Sequence, residues 1–282
     1  MKIGSTIKKP KILIICSFAK SLIQFRGDFI SKLIEKGCVV YTASPELPQK
    51  VQEELFALGA IPVSYNLQRT GLNPYLDLNS IKQIRQIIKI NSIDLVFPYT
   101  IKPVIYSSIA ASTLNIPVIS LITGLGFTFT STSLKSKILQ KVVEVLYRVS
   151  LRKNRLVIFQ NRDDEELFKK LKILAPNQNT AIVNGSGVNL NKYKHRINNR
   201  PRNKIAFILV ARLIKEKGIF HYINAAKQIK GEFPGTEFHV VGAPDKSPSS
   251  VQLEKLNELN KENTIIYHGR VNNVQQLLYD SD

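Results

Sequence analysis

The chain has 282 residues, 44% of them hydrophobic, and a formal net charge of +19 from 40 Lys and Arg against 21 Asp and Glu. That length exceeds the usual single domain, so two domains are expected, each with a core of its own. No apolar run reaches the length of a membrane-spanning helix, and the charge favours polyanionic partners such as nucleic acid, an anionic membrane or phosphate-rich substrates.

The first ten residues, Met1 to Pro10, have neither a long apolar stretch nor a cleavage pattern, so no signal peptide is expected. From there short β-branched runs alternate with amphipathic helical stretches. Strands are expected at Lys11–Cys16, Cys38–Ala43, Asp94–Pro98, Pro117–Ile122, Leu156–Gln160, Lys204–Ala211, Glu237–Gly242 and Thr264–His268. Helices are expected at Ser21–Lys36, Gln49–Leu58, Leu78–Ile90, Pro103–Leu114, Ser133–Leu151, Arg162–Leu171, Gly218–Ile229, Pro248–Asn260 and Asn273–Tyr279. Such alternation predicts an α/β fold with parallel sheets covered by helices on both faces. Cys16 and Cys38 sit in apolar runs and read as small buried hydrophobes. The four histidines, His195, His221, His239 and His268, show no metal-ligand spacing, and no metal is expected.

The stretch Asn189–Asn203 is polar, asparagine-rich and basic, with Pro201 just before a new strand, and has the composition of a linker. It separates an N-terminal domain, 1–188, from a smaller C-terminal piece, 204–282, that holds three strand candidates. The segment Ser133–Arg155 carries seven Lys or Arg against a single Glu144, and its apolar residues cover a broad face. It suits either an interfacial helix on an anionic membrane or a packed helix with a solvated basic side.

Candidate binding residues fall at strand-to-helix turns. Ile205–Val210 reads as a buried parallel strand, followed by Arg212, Lys215 and Lys217 ahead of a helix. Helix N-termini carry unpaired N–H groups and partial positive charge, so this turn suits a phosphate-bearing ligand, or else holds three ordinary solvated cations. Glycines in Thr123-Gly-Leu-Gly-Phe127 and Asn184-Gly-Ser-Gly-Val188 allow close approach of a ligand or serve as plain turns. Asn161 and Asp164 fit a helix N-terminus equally well. The first strand is followed by Cys16-Ser-Phe-Ala-Lys-Ser21 instead of G-x-G-x-x-G, and no P-loop occurs, which counts against a dehydrogenase or a nucleotide hydrolase.

In their order, Phe25-Arg26, Tyr99-Thr-Ile-Lys-Pro103, Thr123-Gly-Leu-Gly-Phe127, the Phe159–Phe168 segment, Asn184-Gly-Ser-Gly-Val188 and the Ala211–Gly218 segment resemble a retaining glycosyltransferase of family 4. The resemblance implies a GT-B-like fold of two Rossmann-like domains, the second incomplete. It is to the bacterial enzymes that extend sugars on undecaprenyl diphosphate in cell-surface glycan and polysaccharide assembly. It implies a nucleoside-diphosphate sugar as donor, expected to be UDP-linked, with no cofactor and no metal. Arg212 and Lys217 would grip the donor diphosphate. Gly124, Gly126, Asn161, Asn184, Gly185, Ser186 and Gly187 would be donor or cleft contacts. Phe25, Arg26, Thr100 and Lys102 would be acceptor-binding, while no catalytic residue is assigned and Lys215 is a solvated bystander. A cytoplasmic location at the inner face of the plasma membrane is implied as well. The family pattern continues past the position of Asp282 into a Glu-x7-Glu segment that contacts sugar and ribose, so the chain is expected to be truncated and its transfer activity lost or severely reduced. Two alternatives remain at this point: a GT-B-fold nucleotide-sugar epimerase, and a non-catalytic Rossmann-like module that binds polyanions.

Overall fold

The computed structural model describes residues 8–68, 71, 73–124, 134–194, 204–244, 249–271 and 273–282. The chain divides into two compact units, Met1–Gly187 and Val188–Asp282.

Unit 1 runs β1 (Lys11–Ile15), α1 (Lys20–Gln24), α2 (Gly27–Glu35), β2 (Val39–Ser44), α3 (Gln49–Ala57), β3 (Ile61–Ser64), α4 (Pro74–Ile90), β4 (Leu95–Pro98), α5 (Ile101–Ser112), β5 (Ile119–Ile122), α6 (Leu134–Leu151), β6 (Leu156–Phe159), α7 (Arg162–Lys170) and β7 (Thr180–Ile182). All its strand pairings are parallel, in the orders β3-β2-β1-β4 and β5-β6-β7. Two parallel bridges, Val96 to Val118 and Tyr99 to Leu121, join these into one surface. The apolar run Ile12–Ile15 of β1 follows from burial on both faces. Leu13 and Ile15 enter one core with residues of α4 to α7, while Ile12, Ile14 and Cys16 enter a second core with α1 to α3. Leu13, Ile14 and Ile15 have no exposed surface, and each such side chain contributes about 1.5–3 kcal/mol on burial.

Several boundaries differ from the sequence expectation. The helix expected over Ser21–Lys36 is two helices, because Phe25 and Arg26 adopt φ of −118° and −127° and turn Arg26 inward. Helix α4 begins at Pro74, not Leu78, since the Asn73 side chain accepts the amides of Tyr75 and Leu76 with proline in the first turn. Strands β3 and β7 were not expected. They lie at the two ends of the strand order, where short edge strands need little apolar sequence.

Unit 2 holds β8 (Ala206–Val210), a 3₁₀ turn (Lys215–Lys217), α8 (Ile219–Glu232), β9 (Glu237–Val241), α9 (Leu253–Lys261), β10 (Ile266–Gly269) and α10 (Gln275–Tyr279). Its parallel sheet has the order β10-β9-β8, and its core gathers Phe238 and Val240 with Ile219, Ile223 and Ala226 of α8 and Leu256 and Leu259 of α9. The expectation of a buried strand at Ile205–Val210 is corrected: only Ala206 is buried, while Ile205, Phe207 and Val210 are exposed. Among the described strands β8 pairs with β9 alone, so it has the burial of an edge strand. The end of the chain returns to it, with the Asp282 amide donating to the Ala206 carbonyl and the Ala206 amide to the Asp282 carboxylate. The expected helix over Pro248–Asn260 starts only at Leu253, because Ser250 forms an antiparallel bridge with Ile214.

Candidate functional site

Two sets of candidate residues lie beyond the carboxyl ends of parallel strands, one in each unit. In open α/β sheets this is where ligands bind.

In unit 2 the chain leaves β8 at Val210 and enters the turn that carries Arg212, Lys215 and Lys217. Leu213 and Ile214 are buried and anchor this turn. The Leu213 carbonyl accepts the Val251 amide, and the Lys215 amide donates to the Ser249 carbonyl. The anchors leave Arg212, Lys215 and Lys217 exposed on a backbone held in place. Gly218 follows at φ 79°, in the left-handed region, and caps α8 with no side-chain hydrogen bond. The 3₁₀ turn ahead of α8 was not expected, nor was the part played by Gly242. At Gly242 (φ 141°) an added Cβ would stand 1.8 Å from the Ala211 carbonyl oxygen. Only glycine lets the end of β9 pass this close beneath the residue before Arg212.

In unit 1 the order β3-β2-β1-β4 reverses direction between β1 and β4. Ser17, after β1, and Thr100, after β4, meet there: the Ser17 amide donates to Thr100 Oγ1 at 3.3 Å and Thr100 Oγ1 donates to Ser17 Oγ at 3.0 Å. Thr100 holds φ 69° and ψ 152°, a strained conformation for a β-branched residue. Ser21 Oγ and the Tyr99 hydroxyl share a hydrogen bond of 2.8 Å. Arg26 lies 4.9 Å from the Tyr99 ring centroid and donates from Nη1 to Ser186 Oγ at 2.9 Å, where Gln160 Nε2 also donates at 3.2 Å. Burial lowers the Arg26 pKa from its ordinary value, opposed by Tyr99 and Cys16. Residues far apart in sequence, from the turns after β1, β4, β6 and β7, are thus brought together. A cavity of about 320 Å³, lined in part by Tyr65, Asn66 and Asn79, opens beyond the ends of β2 and β3.

The remaining candidates are distributed differently. Phe25 is exposed at the end of α1. Lys102 is paired within the unit, its Nζ 2.9 Å from Asp77 Oδ1 with both side chains largely buried, at 13% and 14% exposure. Asn161 is the N-cap of α7, its Oδ1 accepting the Asp164 amide at 2.7 Å. Asn184, Gly185, Ser186 and Gly187 are exposed in the turn after β7. Gly124 follows β5 at φ 127° with open space at its Cβ position, and Gly126 lies outside the described residues. Two of the histidines scattered in sequence meet in space: His239 Nδ1 and His268 Nε2 are 2.9 Å apart, with Glu237 at 3.3 Å from His239 Nε2. The parallel register of β9 and β10 places them so. Among the described residues no group of three or more His, Cys, Asp or Glu could hold a metal ion, and no helix is long and apolar enough to cross a membrane.

The apolar residues of α6 divide between two faces. Leu139, Val143, Leu146 and Tyr147 pack into the core. Ile138, Val142, Val145 and Val149, spaced by four, three and four residues, are 61%, 39%, 51% and 65% exposed. Lys137, Lys141, Arg148 and Arg152 are exposed as well.

Two α/β units, each with a parallel sheet, agree with the expected GT-B-like fold. The chain belongs to the glycosyl transferase 4-like family, whose model matches residues 12–161, and residues 190–282 match the model of the glycosyl transferases group 1. It is 24% identical over 274 residues to the Campylobacter jejuni N,N'-diacetylbacillosaminyl-diphospho-undecaprenol alpha-1,3-N-acetylgalactosaminyltransferase, covering 93% of this chain and 70% of that protein. It is 26% identical over 216 residues to the Escherichia coli UDP-Gal:alpha-D-GlcNAc-diphosphoundecaprenol alpha-1,3-galactosyltransferase, covering 73% of this chain and 54% of that one. Among solved structures, Anabaena Alr3699/HepE in complex with UDP and glucose superposes with a TM-score of 0.67 at 16% identity, over 97% of this chain and 73% of that chain.

Proposed function

We propose that the chain works in the transfer of a sugar from a nucleoside-diphosphate sugar, UDP-linked, to a polyprenyl-diphosphate-linked acceptor in cell-surface glycan assembly. The observation that carries the donor side is the turn after β8, where buried Leu213 and Ile214 fix a backbone that presents Arg212 and Lys217 outward. Cleaving the bond between sugar and diphosphate leaves negative charge on the phosphates. Cations already in place, with the amides at the start of α8, stabilise that charge as it develops. Charge-assisted hydrogen bonds of this kind contribute about 1.5–3 kcal/mol each. The donor needs no metal in this scheme, because two side-chain cations supply the countercharge. Support for the donor class comes from the UDP named for both the E. coli relative and the Anabaena structure.

The acceptor side is proposed for unit 1, where Phe25, Arg26 and Thr100 lie beyond the ends of β1 and β4. The acceptor class is supported by the undecaprenol-linked substrates in the names of both relatives. A lipid-linked acceptor calls for a membrane-facing surface. The stripe of Ile138, Val142, Val145 and Val149, with its neighbouring Lys and Arg, suits peripheral attachment to the anionic inner face of the plasma membrane. Titration calorimetry with UDP, UMP and uridine tests the donor site. UDP is expected to bind at least about tenfold more tightly than UMP, from the added charge-assisted contacts. Equal affinity for UDP and uridine would rule out a diphosphate grip.

A further inference from the structure

We propose that Arg26 is the phosphate anchor of unit 1, holding the diphosphate of the lipid-linked acceptor with Ser186 beside it. This rests on the glycosyltransferase reading above and names the group that the acceptor site recognises.

Arg26 is a charge buried without a counter-charge. It is 6% exposed, and no carboxylate among the described residues pairs with it. Its Nη1 donates to the Phe25 carbonyl at 2.8 Å and to Ser186 Oγ at 2.9 Å, its plane lies over Tyr99, and its Nε is sealed without any partner. A buried ion without its opposite destabilises a fold, and an apolar side chain of similar volume would serve packing better. The fold thus keeps a cation where packing alone does not call for one, and an anionic ligand supplies the missing charge.

The surroundings are arranged to receive such a ligand. Ser186 Oγ already accepts from Arg26 and from Gln160, so its own proton is available to donate. Gly185 and Gly187 flank it at φ 76° and 69°, and a Cβ at either would meet nothing within 4 Å, so the turn leaves room. The strained Thr100 hydroxyl is committed to Ser17, which leaves the twelve-residue α5 without a side-chain cap at the same end of the sheet. Guanidinium, hydroxyl and open helix amides are the donors that bind phosphate. A diphosphate could come from the donor or from the acceptor. Because unit 2 carries its own exposed cations on the turn after β8, Arg26 is assigned to the acceptor.

Calorimetric titration of the full chain with farnesyl diphosphate, inorganic pyrophosphate and UDP, repeated on Arg26→Met, tests the assignment. The variant is expected to lose about tenfold to a hundredfold in affinity for farnesyl diphosphate and for pyrophosphate competing with it. Its UDP affinity is expected to stay unchanged, and its Tm to stay level or rise as the unpaired charge is removed. Unchanged farnesyl diphosphate affinity overturns the proposal. So does a parallel loss of UDP binding, which would place Arg26 at the donor. Should Arg26→Met fold poorly, Ser186→Ala, at an exposed turn, decides: at least threefold weaker farnesyl diphosphate binding at unchanged Tm supports the anchor, and no change refutes it. Failure of the parent chain to bind UDP would instead break the donor reading, and the farnesyl diphosphate titrations would still judge Arg26.

Discussion

Replacing Ile138 and Val149 of α6 by asparagine should release the protein from anionic membranes without unfolding it. The two side chains are 61% and 65% exposed and belong to the stripe that faces away from the core. Fully burying such a side chain contributes about 1.5–3 kcal/mol, so moving the exposed two-thirds of both into a bilayer interface contributes roughly 2–4 kcal/mol. The double variant should therefore bind vesicles at least about thirtyfold more weakly. Lys137 and Arg152, both exposed, should add about 1 kcal/mol each at an anionic surface. Neutralising both to glutamine costs about 2 kcal/mol, again roughly thirtyfold, and only at low salt because the term is screened. Cosedimentation with phosphatidylglycerol vesicles, compared with phosphatidylcholine and repeated at high salt, reads both effects, with circular dichroism confirming the fold. Equal binding by the Ile138→Asn, Val149→Asn variant and the parent would refute the membrane face, as would a parent that ignores anionic vesicles.

Gly242→Ala should destabilise unit 2 by about 3 kcal/mol or more, since the new methyl would stand 1.8 Å from the Ala211 carbonyl oxygen. Chemical denaturation checks this, and UDP affinity should fall with it because Arg212 follows Ala211. Asp77→Asn should cost about 2 kcal/mol by leaving Lys102 unpaired in a largely buried site, while the double change Asp77→Leu, Lys102→Met should be close to neutral in the same assay. His268 has its pKa lowered from the usual 6.5, by burial and then by His239. The unfolded chain therefore binds the proton more readily. The contribution of this residue is present above the unfolded pKa and is lost as pH falls through and below it. Thermal melts from pH 7.5 to 5 should show Tm falling toward acid, and His268→Gln should flatten that slope. An unchanged slope would contradict the linkage.

Much of the architecture is legible because both faces of the β1 sheet are buried, which forces runs such as Ile12–Cys16 to be apolar throughout. Strand order and register place Ser17 beside Thr100 and His239 beside His268, and no local spacing encodes those meetings. The break between α1 and α2 had a local signal in Gly27, yet the apolar spacing around it fits one continuous helix. The partner of Lys102 was equally hidden: Asp77 of α4 is 25 residues earlier and reaches it only through the packing of α4 on α5. For β8 the apolar run predicts burial, whereas among the described strands it pairs with β9 alone and Phe207 and Val210 lie at the surface.

The diphosphate grip by Arg212 and Lys217 is tested most directly by titrating UDP into the full chain and its single alanine variants. Arg212→Ala and Lys217→Ala should each weaken binding about tenfold to a hundredfold, while Lys215→Ala, on the same turn, should change it less than threefold. Equal and small losses from all three would show a diffuse basic surface in place of a defined clamp, and would contradict the account.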